Sequence, residues 1–286
     1  MDFGLLADSE DNKIVGRKFL RKSQIQNPQS KIDMWYWTKI LFSVLCGAVA
    51  VWLIYEIVTF PNISKLRTEN PVTSSMIEHR LSEAKAEGRE PQKYQIWMPI
   101  EQISPHLHRA VLAGEDARFF EHDGFDWDAI DKAWEEAQRE GEKEAKEDGD
   151  YDPDSWIPPM PSFKRGASTV TQQLAKNLYL SEDRNFLRKG REALITYFIE
   201  KDLSKKRIME LYLNIIEWGD GIYGAEAASR YYFKKSASNL TAQEAAYLSA
   251  MIPSPLNIFN PKKNPKRVVR RQKVIQRGMN SIKLAY

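Results

Sequence analysis

Apolar and polar positions divide the chain into one uninterrupted apolar segment near its start and a long region of helical periodicity after it. No residue between Ile40 and Tyr55 is charged. With its aromatic flanks, the stretch 35–60 is long enough to cross a hydrocarbon core of ~30 Å. Lys39 and Glu56 lie near its ends, where their charged groups can reach the interface. The pattern predicts one transmembrane helix over residues 35–60.

Two other interpretations of this apolar segment fit the sequence less well. A cleaved signal peptide would have a shorter apolar run followed by small residues at a cleavage site, and neither feature is found. A buried core helix would have a polar face, which this run lacks. The segment is therefore interpreted as an anchor that stays in the membrane.

Basic residues are concentrated before the uncharged run of the anchor and are scarce directly after the anchor. The preceding ones are Lys13, Arg17, Lys18, Arg21, Lys22, Lys31 and Lys39. Only Lys65 and Arg67 follow closely. The positive-inside rule therefore predicts a cytoplasmic tail over residues 1–34 and an external location for residues 60–286.

Helical periodicity dominates the region after the anchor. Residues 61–93 form a predicted polar connector with one charged helical piece. The alternation of Tyr94, Ile96 and Met98 predicts a short extended segment. Strand-like alternation is scarce beyond it, so residues 94–286 are predicted to form a mainly α domain.

Capping residues mark where several helices begin. Ser104 precedes Pro105, which suits an N-cap followed by the first helical position. Ser204 can cap a later helix, and "TAQE" at 241–244 is a capping box. Asn264 opens a last helix, with basic residues on one side and apolar residues on the other. Its apolar residues are Val268, Ile275, Met279 and Ile282.

Charge is distributed unevenly, although the net charge of +3 is too small to indicate a nucleic-acid partner. Residues 135–154 hold ten acids and three bases, and the acidic stretch near 135–156 is interpreted as a solvated insertion. No acid follows Glu244, so the basic end suits an anionic surface such as lipid head groups or phosphate. Its bases are Lys262, Lys263, Lys266, Arg267, Arg270, Arg271, Lys273, Arg277 and Lys283.

Cysteine and histidine usage excludes two kinds of site. Cys46 is the single cysteine, so no intramolecular disulfide can form. The four histidines do not form a ligand motif with one another, and no zinc-type spacing is present.

Three carboxylates that could do chemistry lie close together in "VLAGEDARFFEHDGFDW", residues 111–127. They are Glu115, Asp116 and Glu121, and His122 lies beside them. A polar seam over an apolar core is the alternative to a catalytic acid or base. Helical periodicity alone does not rank these carboxylates.

A second stretch, "GASTVTQQLAKNLYL" at 166–180, combines hydroxyl, amide and ammonium groups over an apolar base. This surface suits a substrate with sugars and phosphate, and an ordinary solvated helix face is the alternative. The polar residues are Ser168, Thr169, Thr171, Gln172, Gln173, Lys176 and Asn177.

A third stretch, 184–201, aligns Arg184, Arg188, and Arg191 or Glu192 along one helical side. Guanidinium groups match phosphate oxygens, so the side could bind a di-anion. A surface salt-bridge helix is the alternative.

A fourth stretch, 208–224, is less informative. It places Glu210, Asn214 and Glu217 on one helical side before a glycine-rich turn. The turn is interpreted as structural.

Glu115 and Glu192 are far apart in sequence and could meet across a cleft. Glycosyl chemistry uses such pairs, in which one carboxylate removes a proton from the attacking hydroxyl and the other assists the leaving group. Neighbouring Arg and Lys residues indicate that the leaving group is already anionic, such as a diphosphate. The residues therefore predict sugar transfer from a phosphate-linked donor.

Five segments now identify a resemblance. "GEDARFFEHDGFDWDAI", "GASTVTQQLAKNLYL", "RKGREALITYFIE", "KKRIMELYLNIIEWGDGIYGAEAASRYYF" and "LTAQEAAYLSAMIPSPLNIFNP" occur in the order of the motifs of family 51 peptidoglycan glycosyltransferases. The resemblance spans about residues 94–262 and extends to the anchor. No transpeptidase signature accompanies it, since the single Ser-x-x-Lys, Ser82 to Lys85, precedes the motifs and lacks a Lys-Thr-Gly partner.

The resemblance implies a lysozyme-like, mainly α fold with a large lobe and a smaller membrane-proximal jaw lobe. It implies a single-pass protein of the bacterial inner membrane, with a periplasmic catalytic domain that polymerises lipid II. The growing strand, held as an undecaprenyl diphosphate, would be the donor, and a β-1,4 bond would form with inversion. Other cell-wall synthesis proteins are candidate partners, and nucleic acid is not.

The resemblance also assigns roles to individual residues. Glu115 would be the general base, and Glu192 would help at the diphosphate, directly or through a divalent cation such as Mg²⁺ or Mn²⁺. Asp116 and His122 would support Glu115 by hydrogen bonds. The residues expected to hold sugar or phosphate groups are Ser168, Gln172, Gln173, Lys176, Asn177, Arg184 and Arg191.

Two departures and two rival functions accompany the resemblance. The acidic insertion falls in the jaw lobe, and Gly114 and Gly190 are small variations beside the two glutamates.

A lysozyme-like hydrolase would also use paired carboxylates but has less need of the basic residues. A catalytically silent cell-wall scaffold would not need the intact set of motif residues.

Overall fold

The structure is a computed structural model of the whole chain, and it describes the residues 28–149, 151, 158–162, 168–181 and 186–286. The chain divides into two compact units, Met1–Phe60 and Pro61–Tyr286.

The first unit contains a single long helix among its described residues, α1 (Pro28–Val58). Nearly all of its side chains from Met34 onward are exposed, including large apolar and aromatic ones. A segment beginning at Met34 has the length and apolar composition of a membrane span. α1 is therefore a candidate membrane-spanning helix and agrees with the predicted anchor at 35–60.

The second unit is mainly helical, as predicted. Its helices are α2 (Ser75–Ala86), α3 (Pro105–Glu115), α4 (Trp127–Asp148), α5 (Val170–Tyr179), α6 (Phe186–Asp202), α7 (Lys205–Ile215), α8 (Ala225–Phe233), α9 (Ala242–Met251) and α10 (Pro265–Gly278). Short 3-10 turns occur at Ile63–Arg67, Ile100–Gln102, Ala237–Asn239 and Met279–Ser281.

One small sheet accompanies these helices. Its strands are β1 (Tyr94–Gln95), β2 (Glu217–Gly219) and β3 (Ile222–Tyr223), in the order β1-β3-β2. β1 is parallel to β3, and β2 is antiparallel to it with a register irregularity between Glu217 and Gly219. β1 confirms the extended segment that the alternation at residues 94–98 predicted.

Three predicted helix starts are confirmed by their capping hydrogen bonds, whereas α10 begins at Pro265 as predicted but without a bond from the Asn264 side chain. The side chain of Ser104 accepts from His106 N, and that of Ser204 accepts from Arg207 N. Thr241 and Glu244 form the predicted capping box of α9. These bonds satisfy backbone N–H groups that the first turn of a helix leaves without partners.

Two groups of helices build the core. In the first, α9 packs against α3 and α10, and Leu107, Val111 and Leu248 are fully buried. In the second, α5 packs against α6 and α7, where Leu174 and Ile195 are fully buried. Burying these aliphatic side chains removes apolar surface from water, which is the main term that stabilises the unit.

The segment predicted as a connector, 61–93, belongs to the second compact unit. Its helix α2 packs against α5, and Ile77 on that helix is fully buried. Arg67 forms a salt bridge of 3.0 Å with Asp202 at the end of α6. The segment is thus packed against the domain rather than merely linking it to the anchor.

The placement of Glu217 on the same helical side as Glu210 and Asn214 is wrong. α7 ends at Ile215, and Ile216 takes an extended backbone conformation with ψ 150°. Glu217 then opens β2, and Gly221 turns the chain toward β3 with φ +67°. Local periodicity did not anticipate this change because the pairing of β3 with the distant β1 stabilises the hairpin.

Asn214 ties α7 to the chain that follows β1, and replacing it by Leu should lower stability. Its side-chain amide donates to the carbonyls of Met98 and Glu210 at 2.9 and 2.8 Å. Its Oδ1 accepts from Met98 N at 2.8 Å, and the whole residue is buried. Leu makes none of these bonds and leaves the half-buried N–H and C=O groups of Met98 without these partners, so we expect a loss of about 1–3 kcal/mol.

Thermal unfolding of Asn214→Leu, followed by circular dichroism in detergent, measures this loss. Asn239→Leu is the matched control because Asn239 is exposed. Equal melting temperatures for the two variants would contradict the structural role of Asn214.

Candidate active site

Glu115 is the last residue of α3, and its carboxylate is held in a buried position. The apolar side of α3 faces α9 and α10, and α3 ends where Asp116 leaves the helical conformation. The side chain of Glu115 is only 8 % exposed. Oε2 accepts from Gln173 Nε2 at 2.9 Å, and Oε1 accepts from Arg271 Nη2 at 2.8 Å. Two distant parts of the chain, at Gln173 and Arg271, thus converge on the carboxylate at the end of α3.

Arg271 reaches this carboxylate from α10 and was not among the predicted site residues. The same Nη2 also donates to the carbonyl of Gly114 at 2.9 Å. The guanidinium carbon lies 5.3 Å from the centre of the Phe259 ring, a cation–π distance. The helical spacing of the sequence could have indicated an inward position for Arg271, because this residue lies three residues after Val268 and four before Ile275. It is therefore next to the apolar side of α10.

Gln173 is fixed by a second residue that the sequence did not single out. The Tyr212 hydroxyl donates to Gln173 Oε1 at 2.7 Å, and Tyr212 is fully buried. Burial raises the pKa of Tyr212 well above its usual value, so its hydroxyl stays a donor. Gln173 must then present its amide group to Glu115, where it binds the carboxylate oxygen that Arg271 does not.

Burial raises the pKa of the Glu115 carboxyl because it disfavours the ionised form. The hydrogen bond from Gln173 and the charge of Arg271 lower the pKa but do not cancel the effect of burial. A carboxylate with a raised pKa accepts a proton more readily than an ordinary one. The site therefore suits a general base that is kept ionised by its two donors.

Asp116 and His122 form a hydrogen-bonded support beside Glu115. The Gly124 N–H donates to His122 Nδ1 at 3.1 Å, so Nε2 carries the proton and donates to Asp116 Oδ1 at 2.9 Å. Asp116 Oδ2 accepts from Val170 N, the first residue of α5, at 3.0 Å. The pair joins the end of α3 to the start of α5, one turn before Gln173.

Gln172 caps the same helix. Its Oε1 accepts from Thr169 N at 3.0 Å, and its own N–H donates to Thr169 Oγ1 at 3.2 Å. This capping box was visible in the sequence as Thr-x-x-Gln but was not recognised there. Gln172 therefore has a structural role, and its predicted substrate contact stays a prediction.

Glu192 lies on α6 with different partners from those of Glu115. Its carboxylate is buried and accepts from Arg188 Nη1 at 2.9 Å and from the Lys189 ammonium. These pairs hold two cations beside Glu192, the half-buried Arg188 and the exposed Lys189. That Glu192 acts together with Glu115 stays a prediction.

The other predicted binding residues differ in exposure. Ser168 and Lys176 are exposed, Arg191 is half-buried, and Asn177 is buried. Arg184 lies outside the described residues. Their contacts with substrate stay predictions.

The predicted divalent cation finds little support in the donors near Glu192. The described residues contain no group of three or more His, Cys, Asp or Glu that could hold a metal ion. Both carboxylate oxygens of Glu192 already accept from cations, Arg188 and Lys189. A divalent cation at the diphosphate therefore stays a prediction.

Gly114 and Gly190 lie beside the two glutamates in different surroundings, and this predicts opposite effects of alanine. A Cβ on Gly114 would lie 2.9 Å from Ser249 Oγ and 3.0 Å from Ile275 Cδ1, whereas one on Gly190 would meet nothing within 4 Å. Gly190→Ala should stabilise the protein by about 0.5–1 kcal/mol, because Gly is a poor helix former. Gly114→Ala should gain nothing and should displace α10, which carries Arg271.

Melting temperatures and polymerisation rates of both variants check this prediction. Gly190→Ala should melt higher at unchanged activity, and Gly114→Ala should lose activity. The reverse order of melting temperatures would show that the contacts around Gly114 are not tight.

A mainly helical domain thus holds one buried carboxylate between an amide and a guanidinium, an arrangement that suits an enzyme with a general base. The model of the Transglycosylase family matches residues 82–146 and 160–280. The chain belongs to this family. The unmatched residues between the two stretches overlap the predicted acidic insertion near 135–156.

Close relatives share most of the chain. A "Biosynthetic peptidoglycan transglycosylase" of Chromobacterium violaceum is 41% identical over 247 residues, which cover 86% of this chain and 99% of the relative. Proteins of the same name from Thiobacillus denitrificans and Bordetella avium are 41% and 42% identical, covering 97% and 85% of those relatives. They match 87% and 77% of this chain, respectively.

Proposed function

We propose that this protein is a peptidoglycan glycosyltransferase that polymerises lipid II into β-1,4-linked glycan strands. The observation that carries the proposal is the buried Glu115 carboxylate between Gln173 and Arg271. Family membership and the names of the relatives support the substrate class. The candidate membrane span of α1 supports a substrate that is itself lipid-linked.

The first half of the proposed reaction is activation of the acceptor. Glu115 accepts the proton of the lipid II 4-hydroxyl while that oxygen attacks the anomeric carbon of the growing strand. Arg271 and Gln173 keep the carboxylate ionised and oriented before the transfer. After the transfer, burial favours the neutral carboxyl, because the pKa of Glu115 is raised.

The second half is departure of the diphosphate. The bond between the anomeric carbon and the diphosphate breaks, and its electron pair leaves with undecaprenyl diphosphate. Attack from the opposite face inverts the configuration and gives the β-1,4 bond. Such a leaving group needs charge neutralisation more than protonation. Arg188 and Lys189, aligned by Glu192, are suited to supply it together with Lys176 and Arg191.

The chain is proposed to act from the inner membrane, with residues 1–34 in the cytoplasm and the second unit in the periplasm. The excess of basic residues before α1 supports this orientation. A mature protein that lacks residues 1–60, detected by mass spectrometry of isolated membranes, would overturn the anchored topology.

Purified protein supplied with labelled lipid II tests the function. Formation of a glycan polymer is the expected result, and lipid II that stays intact would refute the proposal. Shortening of preformed glycan would instead favour a lysozyme-like hydrolase. The absence of either change in a folded protein would favour a silent scaffold.

A further inference from the structure

Helix α10 carries a row of cations that the proposed reaction does not use. Lys266, Arg270, Lys273 and Arg277 recur at i, i+4, i+7 and i+11, and all four are exposed. At 100° per residue they fall within roughly 60° of one another around the helix axis. We call these four residues the basic stripe.

The opposite side of α10 fixes the direction of the basic stripe. Val268, Gln272 and Ile275 are buried where α10 packs against α3 and α9. Arg271 lies at the edge of this buried side and holds Glu115. Because α10 packs against the core on that side, the basic stripe points away from the core.

The basic stripe is not neutralised within the described part of the chain. None of its four cations has a carboxylate within salt-bridge distance there, and no acid follows Glu244 in the sequence. Some other cations of this unit are paired, as in the salt bridges Arg118–Asp128 and Lys206–Glu101. Like charges at i, i+3 and i, i+4 repel one another, so α10 retains a repulsion that a bound anionic surface would relieve.

Apolar side chains beside the basic stripe indicate the nature of that surface. Val269 and Val274 are 40 % and 62 % exposed and flank the stripe on its two sides. Lys262 and Lys263 extend the positive charge before the helix and are also exposed. Cations combined with exposed aliphatic groups are typical of helices that lie against anionic lipid, whereas a free phosphate offers nothing to the valines.

We propose that the basic stripe of α10 binds the head groups of anionic phospholipids. The chain also contains a candidate membrane span, which would tether its second unit to a membrane. The attraction acts within a Debye length, about 10 Å at 0.1 M salt, and falls as salt increases. This inference does not depend on which reaction Glu115 supports.

Chemical acetylation of lysines in the full chain, embedded in lipid nanodiscs, tests the proposal without any substitution. Mass spectrometry would give the labelling rates of Lys266 and Lys273 in nanodiscs of phosphatidylcholine alone and with one quarter phosphatidylglycerol. Exposed Lys132 and Lys143 on the acidic helix α4 are internal controls. We expect the anionic lipid to slow labelling of the stripe lysines roughly 3- to 10-fold, with little effect on the controls and with recovery in high salt.

Three outcomes would overturn the proposal. Equal labelling of Lys266 and Lys273 in both lipids would mean that the stripe is only solvated. Equal slowing of the α4 lysines would mean a general effect of lipid charge. Protection by millimolar inorganic phosphate in phosphatidylcholine nanodiscs would identify a free anion instead of lipid.

A pair of variants sharpens the test while keeping both reporter lysines. The double substitution Arg270→Gln and Arg277→Gln should remove at least half of the protection of Lys266 and Lys273. The matched control, Arg89→Gln with Arg139→Gln, removes two other exposed cations and should leave the protection unchanged. Full protection in the Arg270/Arg277 variant would contradict a role for the stripe as a unit.

Discussion

Replacing Glu115 by Gln should reduce glycan polymerisation about 10²- to 10⁴-fold, the range expected for loss of a general base. The amide keeps the volume of the carboxylate, and its oxygen can still accept from Arg271. Gln173 can rotate its amide group to accept from the new one if the Tyr212 hydroxyl then accepts from Gln173 instead of donating to it. Gln cannot take up the proton of the acceptor hydroxyl, however, so the chemical step is lost while the packing is kept.

The stability of the Glu115→Gln variant should equal or exceed that of the wild type at neutral pH. The folded state raises the pKa of Glu115 through burial, so the folded state binds the proton more tightly than the unfolded state does. The wild type therefore loses stability as pH rises from the ordinary Glu pKa through the raised one. Gln carries no charge and avoids this loss, and its advantage should disappear in acid.

Polymerisation of labelled lipid II and thermal unfolding between pH 4 and 8 measure both effects. Glu121→Gln is the matched control, because Glu121 belongs to the same motif but is exposed and pairs with Arg118. It should retain activity within about twofold. A Glu115→Gln variant that polymerises at nearly the wild-type rate would remove Glu115 as the base.

Much of the fold could be predicted because its signals are local. The apolar run of α1 and the caps at Ser104, Ser204 and Thr241 each act within a few residues. The β2–β3 hairpin was not predicted, since its strands are only two or three residues long and β3 pairs with a segment more than 120 residues earlier. Such pairing has no signature in the periodicity of the hairpin itself.

The candidate site was predictable in part for the same reason. Residue chemistry and the family resemblance selected Glu115, and they selected Gln173 as a sugar or phosphate ligand. The structure shows that Gln173 instead donates a hydrogen bond to Glu115, although the two residues are 58 positions apart in the sequence. Arg271 is 156 positions from Glu115, and the sequence assigned it to a basic surface. Only the packing of α10 on α3 reveals that Arg271, one of the nine basic residues after Glu244, turns inward.

Replacing Arg271 by Leu should lower polymerisation at neutral pH about 10- to 100-fold, and the loss should depend on pH. The charge and hydrogen bond of Arg271 both lower the pKa of Glu115. Without them burial acts with less opposition, so the pKa of Glu115 rises further and less of the base is ionised. The acidic limb of the kcat/KM profile should therefore move to higher pH, and activity should recover partly as the pH is raised.

Two further variants separate this electrostatic role from a structural one. Arg271→Lys keeps the positive charge and should restore much of the pH profile, although it loses the flat contact with Phe259. Arg267→Leu, one turn earlier and exposed, should leave the profile in place. If Arg271→Leu lowers the rate equally at every pH, then Arg271 only holds α10 against Gly114 and does not tune Glu115, because a purely structural loss would not follow the ionisation of that carboxylate.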